Sequence, residues 1–208
     1  RKTTSEAFEY VEMALKGKVN GSLVRMINAL GFRAVGLSGK DGRTVTATKR
    51  MHTRVVDGEE EEVDLGRVGD VAEVDPSLIR LLLENRYIPV ITCLAADLAG
   101  NGFNINGDIF AGHLAGTLKA AQYIILTDVN GLMKDKDDPS TLISEIGLSA
   151  INQLYEEGII HGGMIPKINS CEIAVNKGAG MARIINGTAP EQIRAVIGGN
   201  SCGTVIKK

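Results

Sequence analysis

Tyr123-Ile124-Ile125-Leu126-Thr127 is an uncharged run of five residues that follows a helix-like segment at residues 107–119. A second apolar run, Ile88-Pro89-Val90-Ile91-Thr92-Cys93, follows a predicted helix that opens at Asp75-Pro76. Short strands that lack polar alternation and alternate with helices are typical of a mostly parallel sheet covered on both faces. The sequence therefore predicts an α/β fold, a three-layer αβα sandwich with a mostly parallel central sheet.

The amino-terminal third is predicted to add two helices and a β-hairpin arm. Thr3-Thr4-Ser5-Glu6 offers a capping box for a helix over about residues 4–16 that ends at Gly17, and Asn20 offers a cap for a second helix. The hairpin is expected from residues 34–37 and 44–48, joined by the turn Gly39-Lys40-Asp41-Gly42. The acidic run at residues 59–62 is interpreted as a solvated loop, because consecutive carboxylates do not all face one metal ion.

The carboxy-terminal half continues the alternation of helices and strands. Helices are expected near residues 148–157, 164–177 and 189–197, and strands at residues 182–185 and 204–206. In such sheets ligands bind beyond the carboxyl ends of the strands, so the loops after Cys93, Leu126 and Ile185 are the candidate binding loops.

Composition restricts the class of protein. The chain has 208 residues, enough for one sizeable core, and its 23 basic and 25 acidic residues give a net charge of −2. This balance gives no basic surface for nucleic acid or a membrane, and no segment is apolar for long enough to span one. Three widely spaced cysteines fit a reducing cytoplasm. A small-molecule ligand is therefore expected.

The segment Gly162-Gly163-Met164-Ile165-Pro166-Lys167 carries the strongest chemical signal. Glycines let a backbone approach a ligand, and proline is suited to the first position of a helix. A lysine in the first turn is unfavourable beside the positive helix end unless an anion lies between them, which indicates a phosphate site. The alternative is a solvated lysine on an ordinary connection.

Two further segments place polar groups next to predicted strand ends. Asn104 and Asn106 would point to the same side of an extended segment, and Asp108 sits at or near the cap of the following helix. Asp108 could equally be a routine helix cap. Asp128 follows the strand at 123–127, where it could also be a turn residue.

Several familiar sites are excluded by spacing. Gly39-Lys40-Asp41 lacks the glycine spacing and hydroxyl of a P-loop, and no Gly-x-Gly-x-x-Gly follows a strand. His52, His113 and His161 share no metal-ligand spacing, and Ser38 does not lie in a hydrolase nucleophile elbow.

Taken together, these segments resemble acetylglutamate kinases of the amino acid kinase family. The matching motifs are Asn104–Asp108, Leu126–Gly131 and Gly162–Lys167, and the resemblance extends through Gly36–Gly42, Val63–Gly69 and Tyr87–Val90. It covers almost the whole chain. It implies ATP-dependent phosphorylation of the side-chain carboxylate of N-acetyl-L-glutamate in arginine biosynthesis, by a cytoplasmic homodimer.

The resemblance also implies roles for individual residues. Lys167 would stabilise the transferring phosphoryl group, Asp108 would organise catalytic lysines, and Arg1 would bind the substrate α-carboxylate. Asn104, supported by Asn106, would bind the N-acetylamino acid. ATP would contact Thr127, Asp128, Val129, Gly131, Leu132, Met133, Gly162, Gly163 and Met164, with Mg²⁺ carried on its phosphates. Residues 1–106 would form a substrate-binding and dimerisation lobe, and residues 107–208 a nucleotide-binding lobe.

This sequence departs from the family pattern at several points. The family's opening strand, glycine-rich phosphate loop and second catalytic lysine are not found in it, so the 208-residue polypeptide is expected to be inactive or nearly inactive by itself. Gly107 and Ile109-Phe110 replace small residues beside Asp108, and Asn200–Gly203 departs from the pattern of arginine-inhibited members. Two alternatives stay open: a kinase for a related aminoadipate derivative, and a non-catalytic metabolite-binding or interaction module.

Overall fold

The computed structural model of the chain describes residues 2–56, 59–135 and 138–208. They form two compact units, Arg1–Phe110 and Ala111–Lys208. The lobes expected from the sequence, 1–106 and 107–208, have their boundary near this division. None of the helices in the described ranges is long and apolar enough to cross a membrane.

The first unit opens with one continuous helical run. It consists of α1 (Ser5–Glu12), a π-helical segment (Met13–Asn20) and α2 (Gly21–Ala29). Thr4, inside the predicted capping box, caps α1, because its hydroxyl accepts the Ala7 N–H at 3.1 Å, so the helix begins one residue later than predicted. The predicted stop at Gly17 is wrong, since the chain continues through it in π-helical form.

The predicted cap at Asn20 is also wrong. Asn20 has helical dihedral angles and is buried, and its amide donates to the carbonyl oxygen of Val90 at 2.7 Å. The side chain thus pairs with a backbone group distant in sequence instead of with the start of α2. A sequence pattern identifies a residue that is able to cap a helix. It does not reveal a partner distant in sequence to which the same side chain bonds instead.

The strands of the first unit are β1 (Ala34–Ser38), β2 (Val45–Val56), β3 (Glu59–Val74), β4 (Ile88–Thr92), β5 (Leu94–Ala96) and β6 (Gly102–Asn104), with α3 (Ser77–Glu84) between β3 and β4. β1 pairs in parallel with β4, and β2, β3, β6 and β5 form a small closed barrel.

The observed hairpin therefore contains only one of the two predicted strands, the one at residues 44–48, which overlaps β2. β2 pairs antiparallel with β3, and β1 pairs with β4. The acidic run at residues 59–62 lies in β3 with its side chains exposed, so the predicted loop is wrong although the predicted solvation is correct. Alternation identifies a strand, but its partner is chosen by packing.

Helix α4 (Gly107–Thr117) leads into the second unit. Its elements are β7 (Tyr123–Thr127), β8 (Glu145–Gly147), α5 (Ile151–Glu156), α6 (Met164–Lys177), β9 (Ala182–Asn186), α7 (Pro190–Ile197) and β10 (Thr204–Lys207). The sheet order is β7-β9-β10-β8, with parallel pairs β7/β9 and β10/β8 and an antiparallel pair β9/β10. The predicted α/β fold is confirmed.

The core of the second unit forms where α6 packs on this sheet. Ile168, Cys171, Ala174 and Val175 of α6 are fully buried in one cluster with residues of β7, β9 and β10. The other face of β7 is less covered than expected, because Ile124 is 38% and Leu126 55% exposed. An all-apolar strand sequence does not reveal which of its faces meets the core.

Candidate active site

A cavity of about 260 Å³ opens in the second unit at the carboxyl end of β7. Two segments that are far apart in sequence form its walls, the loop that follows β7 and the start of α6. Its lining residues are Thr127, Asp128, Val129, Gly131, Leu132, Met133, Ile159, His161, Gly163, Met164 and Lys167. The fold thus brings together the strand-end loop and the glycine and lysine segment that the sequence indicates separately.

The loop after β7 is held in place by Thr204, a fully buried residue at the start of β10. Its hydroxyl accepts the Leu132 N–H at 2.8 Å and donates to the Ile143 carbonyl at 2.7 Å. Gly131 has φ of 137°, and a Cβ there would stand 2.6 Å from the Thr204 hydroxyl oxygen. Only glycine fits this position, so the loop shape depends on Gly131 and Thr204 together.

A cluster of three amides fixes the same loop from the side of β9. The side-chain oxygen of Asn130 accepts from Gln192 at 2.8 Å and from Asn186 at 3.2 Å. The backbone N–H of Asn186 in turn donates to the Gln192 side chain at 3.0 Å. Because Asn186 pairs in register with Thr127, the cluster ties together the carboxyl ends of two parallel strands.

Sequence reasoning missed Thr204 and Gln192 as supports of the loop. Both lie far along the chain from it, and no local pattern signals such partners. The one available signal was the rule that strand ends meet at one sheet edge, which directed attention to the loop after Ile185 but not to α7.

The glycine pair leads directly into α6. The helix begins at Met164 with Gly163 in the cap position and no side-chain cap bond. Pro166 is consequently the third helical residue, so its predicted place at the first position is wrong. The helix tolerates it there because the first four N–H groups have no acceptor within the helix. Gly162 has φ of 53°, a conformation that favours glycine.

The walls of the cavity differ in chemistry. Leu132 is buried, and with Met133, Ile159 and Met164 it offers an apolar surface suited to an aromatic ring. Lys167 is half-buried in the first turn of α6, beside the positive end of a 14-residue helix. That end of the cavity suits an anion. One cavity therefore offers both an apolar surface and an anion site.

The predicted substrate residues lie in the first unit, around the start of α4. Asn106 caps this helix, since its side-chain oxygen accepts the Ile109 N–H at 3.1 Å. Asp108 lies in the first turn and is half-buried. The alternative that Asp108 serves as the cap is therefore wrong, because Asp108 is the second residue of the helix.

Asn104 ends β6, where its backbone is in register with Val68 of β3 and Leu94 of β5. Ile105, the next residue, is buried, whereas Asn104 is half-buried and Asn106 exposed. This pattern is consistent with the expected alternation of the two asparagines about a buried residue.

Cys93 follows β4 and lies near the start of α4. Burial raises the pKa of its thiol, and the negative charge of Asp108 raises it further. The thiol is therefore protonated at neutral pH, as expected for a cysteine without a nucleophilic role. All three cysteines are free thiols.

The remaining predicted site residues are placed as follows. Arg1 lies outside the described residues. Gly162 does not line the cavity, whereas Ile159 and His161, on the amino-terminal side of the glycine pair, do. Within the described ranges, no group of three or more His, Cys, Asp or Glu side chains is placed to bind a metal ion.

Comparison with known proteins agrees with this organisation. The sequence model of the amino acid kinase family matches residues 1–186. A curated protein from Methanococcus aeolicus named acetylglutamate kinase is 44% identical over 193 residues, covering 93% of this chain and 66% of its own length. An acetylglutamate kinase from Archaeoglobus fulgidus is 47% identical over 194 residues, covering 93% of this chain and 67% of its own length.

Among solved structures, smu.665 from Streptococcus mutans is 27% identical with a TM-score of 0.76, covering all of this chain and 74% of that one. The chain thus spans about two thirds of the length of the curated relatives. Because the family model matches most of the chain and its strand-end motifs meet in one cavity, the chain belongs to the amino acid kinase family.

Proposed function

We propose that this polypeptide is an acetylglutamate kinase, which transfers the γ-phosphoryl group of ATP to the side-chain carboxylate of N-acetyl-L-glutamate in arginine biosynthesis. The main support is the cavity in which the segments 127–133 and 163–167 meet. The names and identities of the curated relatives agree with this assignment.

The cavity fits the two ends of ATP. Its apolar wall suits the adenine ring, and Lys167 with the open backbone at Gly163 suits the phosphates, since no heavy atom lies within 4 Å of the place of a Cβ on that glycine. Mg²⁺ would be carried on the phosphates, as is usual for sites that bind this ion through nucleotide oxygens.

In this reaction the protein contributes mainly by positioning the two substrates and by stabilising negative charge. The substrate carboxylate is ionised at neutral pH and attacks the γ-phosphorus directly, while the bond to the β–γ bridging oxygen breaks and ADP leaves. No general base is needed, so catalysis depends on orienting two anions and neutralising the moving charge. We assign charge stabilisation to Lys167 and the organisation of catalytic lysines to Asp108.

We assign substrate binding to Asn104 and Arg1, with Asn106 supporting. An arginine suits an α-carboxylate because it can form a bidentate pair. The side-chain oxygen of Asn106 already accepts a cap bond from Ile109, so Asn106 acts mainly by fixing the start of α4.

We further propose a homodimer of cytoplasmic chains. The helical run of the first unit carries exposed apolar side chains at helical spacing, a pattern that marks interaction surfaces. They are Tyr10, Met13, Val19, Leu23, Met26 and Leu30. Three free thiols accord with a reducing compartment. Sedimentation of the chain and of Met26→Glu tests this proposal. We expect the parent chain to be a dimer and the variant, which places a charge in the apolar surface, to be a monomer.

The function is tested in two steps. Calorimetry of the 208-residue chain should detect Mg-ADP binding that Lys167→Met weakens by about tenfold, the scale of one charge-assisted contact. Lys177→Met, on the last turn of the same helix, is the matched control and should bind as the parent does.

Turnover is then measured on the chain joined to the glycine-rich loop and lysine segment of an acetylglutamate kinase relative. Hydroxylamine trapping of the acyl phosphate, with coupled detection of ADP, should show product with N-acetylglutamate and none with the 208 residues alone. Preference for an aminoadipate derivative would instead support the related kinase. Absence of both binding and turnover would support the non-catalytic module.

A further inference from the structure

Ser170 lies one helical turn after Lys167 and is fully buried in α6. Its hydroxyl donates to the carbonyl oxygen of Lys167 at 2.7 Å. A serine that bonds back to its own helix is common and by itself carries no functional meaning. Here, however, the acceptor is the backbone of the lysine that lines the cavity.

The hydroxyl of Ser170 has a second partner. The hydroxyl oxygen of Tyr123 lies 3.3 Å from it, and Tyr123 is itself buried at the start of β7. Because the Ser170 proton is directed to Lys167, the tyrosine is the donor in this pair. The two bonds therefore connect the first residue of β7 to the first turn of α6.

The next turns of α6 are in contact with α4. A Cβ at Gly112 would overlap the backbone oxygen of Ser170, and one at Gly116 would stand 2.9 Å from the backbone oxygen of Ala174. The backbones of the two helices are therefore in direct contact along this line. Ser170 therefore contacts α4 through its backbone and Tyr123 through its hydroxyl, and the same hydroxyl holds the carbonyl of Lys167.

We propose that Ser170 is a positioning residue for Lys167, acting through the lysine backbone with Tyr123 as its anchor. The inference rests on the proposed function, in which Lys167 contacts the nucleotide phosphates. A lysine side chain is long and flexible, so the precision of its ammonium group depends on a fixed backbone. Misplacement by about 1 Å is enough to lose about a hundredfold in rate at a reacting centre.

The test compares a ligand with phosphates and one without. Affinities of the 208-residue chain for Mg-ADP and for adenosine are measured by calorimetry, and their ratio reports the contribution of the phosphates. In Ser170→Ala we expect the ADP affinity to fall roughly five- to tenfold, the effect of one lost buried hydrogen bond, and adenosine affinity to stay within about twofold. Tyr123→Phe should change the ratio in the same direction by a smaller factor.

Ser149→Ala, an exposed serine at the start of another helix, is the matched control and should leave both affinities unchanged. Thermal unfolding establishes which variants are folded. If Ser170→Ala is not folded, the affinity ratio of Tyr123→Phe tests the proposal. An unchanged ratio in the folded variants, or a parallel loss of both affinities, would overturn the proposal. Failure of the parent chain to bind Mg-ADP would instead count against the proposed function.

Discussion

A Cβ atom at Gly112 would overlap the backbone oxygen of Ser170, so α4 and α6 pack with no side chain between them at this point. Such contact is possible only for glycine, and it sets the depth at which α6 lies against the rest of the second unit. Because α6 also supplies Lys167 to the cavity, a packing requirement and a candidate functional group belong to one helix.

Gly112→Ala should therefore destabilise the chain, although alanine is the better helix former. We expect a loss of about 1–3 kcal/mol from overpacking, against a gain of less than 1 kcal/mol in helix propensity. Gly17→Ala is the matched control, since no heavy atom lies within 4 Å of its Cβ position and it is exposed. Urea unfolding should show opposite signs for the two variants, and a stabilised Gly112→Ala would contradict the packing argument.

Thr204→Val should weaken both stability and nucleotide binding. The substitution keeps the shape of the side chain but removes the hydroxyl that joins the Leu132 N–H to the Ile143 carbonyl. We expect a loss of about 1–3 kcal/mol, because a buried donor and a buried acceptor lose their partner. Urea unfolding and Mg-ADP calorimetry measure the two effects. Thr48→Val, at an exposed position of β2 in the first unit, provides the comparison; an equal loss there would argue against a special role for Thr204.

Gln192→Leu should loosen the loop after β7 with little effect elsewhere. It removes the donor to Asn130 and the acceptor of the Asn186 N–H. Hydrogen exchange should increase at residues 128–132 while α6 stays protected, since local opening follows lost local bonds. Glu191→Gln, the neighbouring exposed position, should leave exchange unchanged. Uniform acceleration across the second unit would mean that the amide cluster supports the whole unit.

Substitutions at Asn106 and Asp108 should distinguish the structural role of Asn106 from the chemical role proposed for Asp108. Asn106→Ala is expected to lower the free energy of unfolding by about 1 kcal/mol, because the α4 cap is lost. Asn106→Asp should retain most of the stability, since aspartate also caps helices. Asp108→Asn keeps the size of the side chain but removes its charge, so it should abolish turnover in the joined chain. Full activity of Asp108→Asn would remove Asp108 from the proposed mechanism.

Asp41 should make stability depend on pH. Burial would raise its pKa, but hydrogen bonds from Ser38 and Lys16 outweigh this and lower it below the ordinary 3.8. The ionised group therefore stabilises the fold fully above that value, and its contribution is lost as the pH falls through the lowered pKa. Asp41→Asn should be less stable than the parent at pH 6, with the difference shrinking below about pH 4. Parallel stability curves across this range would contradict the argument.

Local sequence patterns identified most elements that depend on a single segment. The expected helix at 164–177 and the strand at 123–127 have the same bounds in the structure. Hydrophobic run length and flanking glycines are properties of the segment itself, so they carry this information. The predicted ends of elements were wrong where a side chain bonds to a distant residue. Asn20 is an example, because its amide donates to Val90 instead of capping α2.

The sequence by itself determined the α/β class and the chemical character of the segments at 126–131 and 162–167, because residue type and spacing are local. Only the tertiary structure decided that these segments line one cavity, that β2 pairs with β3, and that Asn106 rather than Asp108 caps α4. It also revealed Thr204, Gln192 and Ser170 as supports of the site. Their roles arise from long-range hydrogen bonds and backbone contacts, which are selected by packing of the whole unit and leave no periodic trace along the chain.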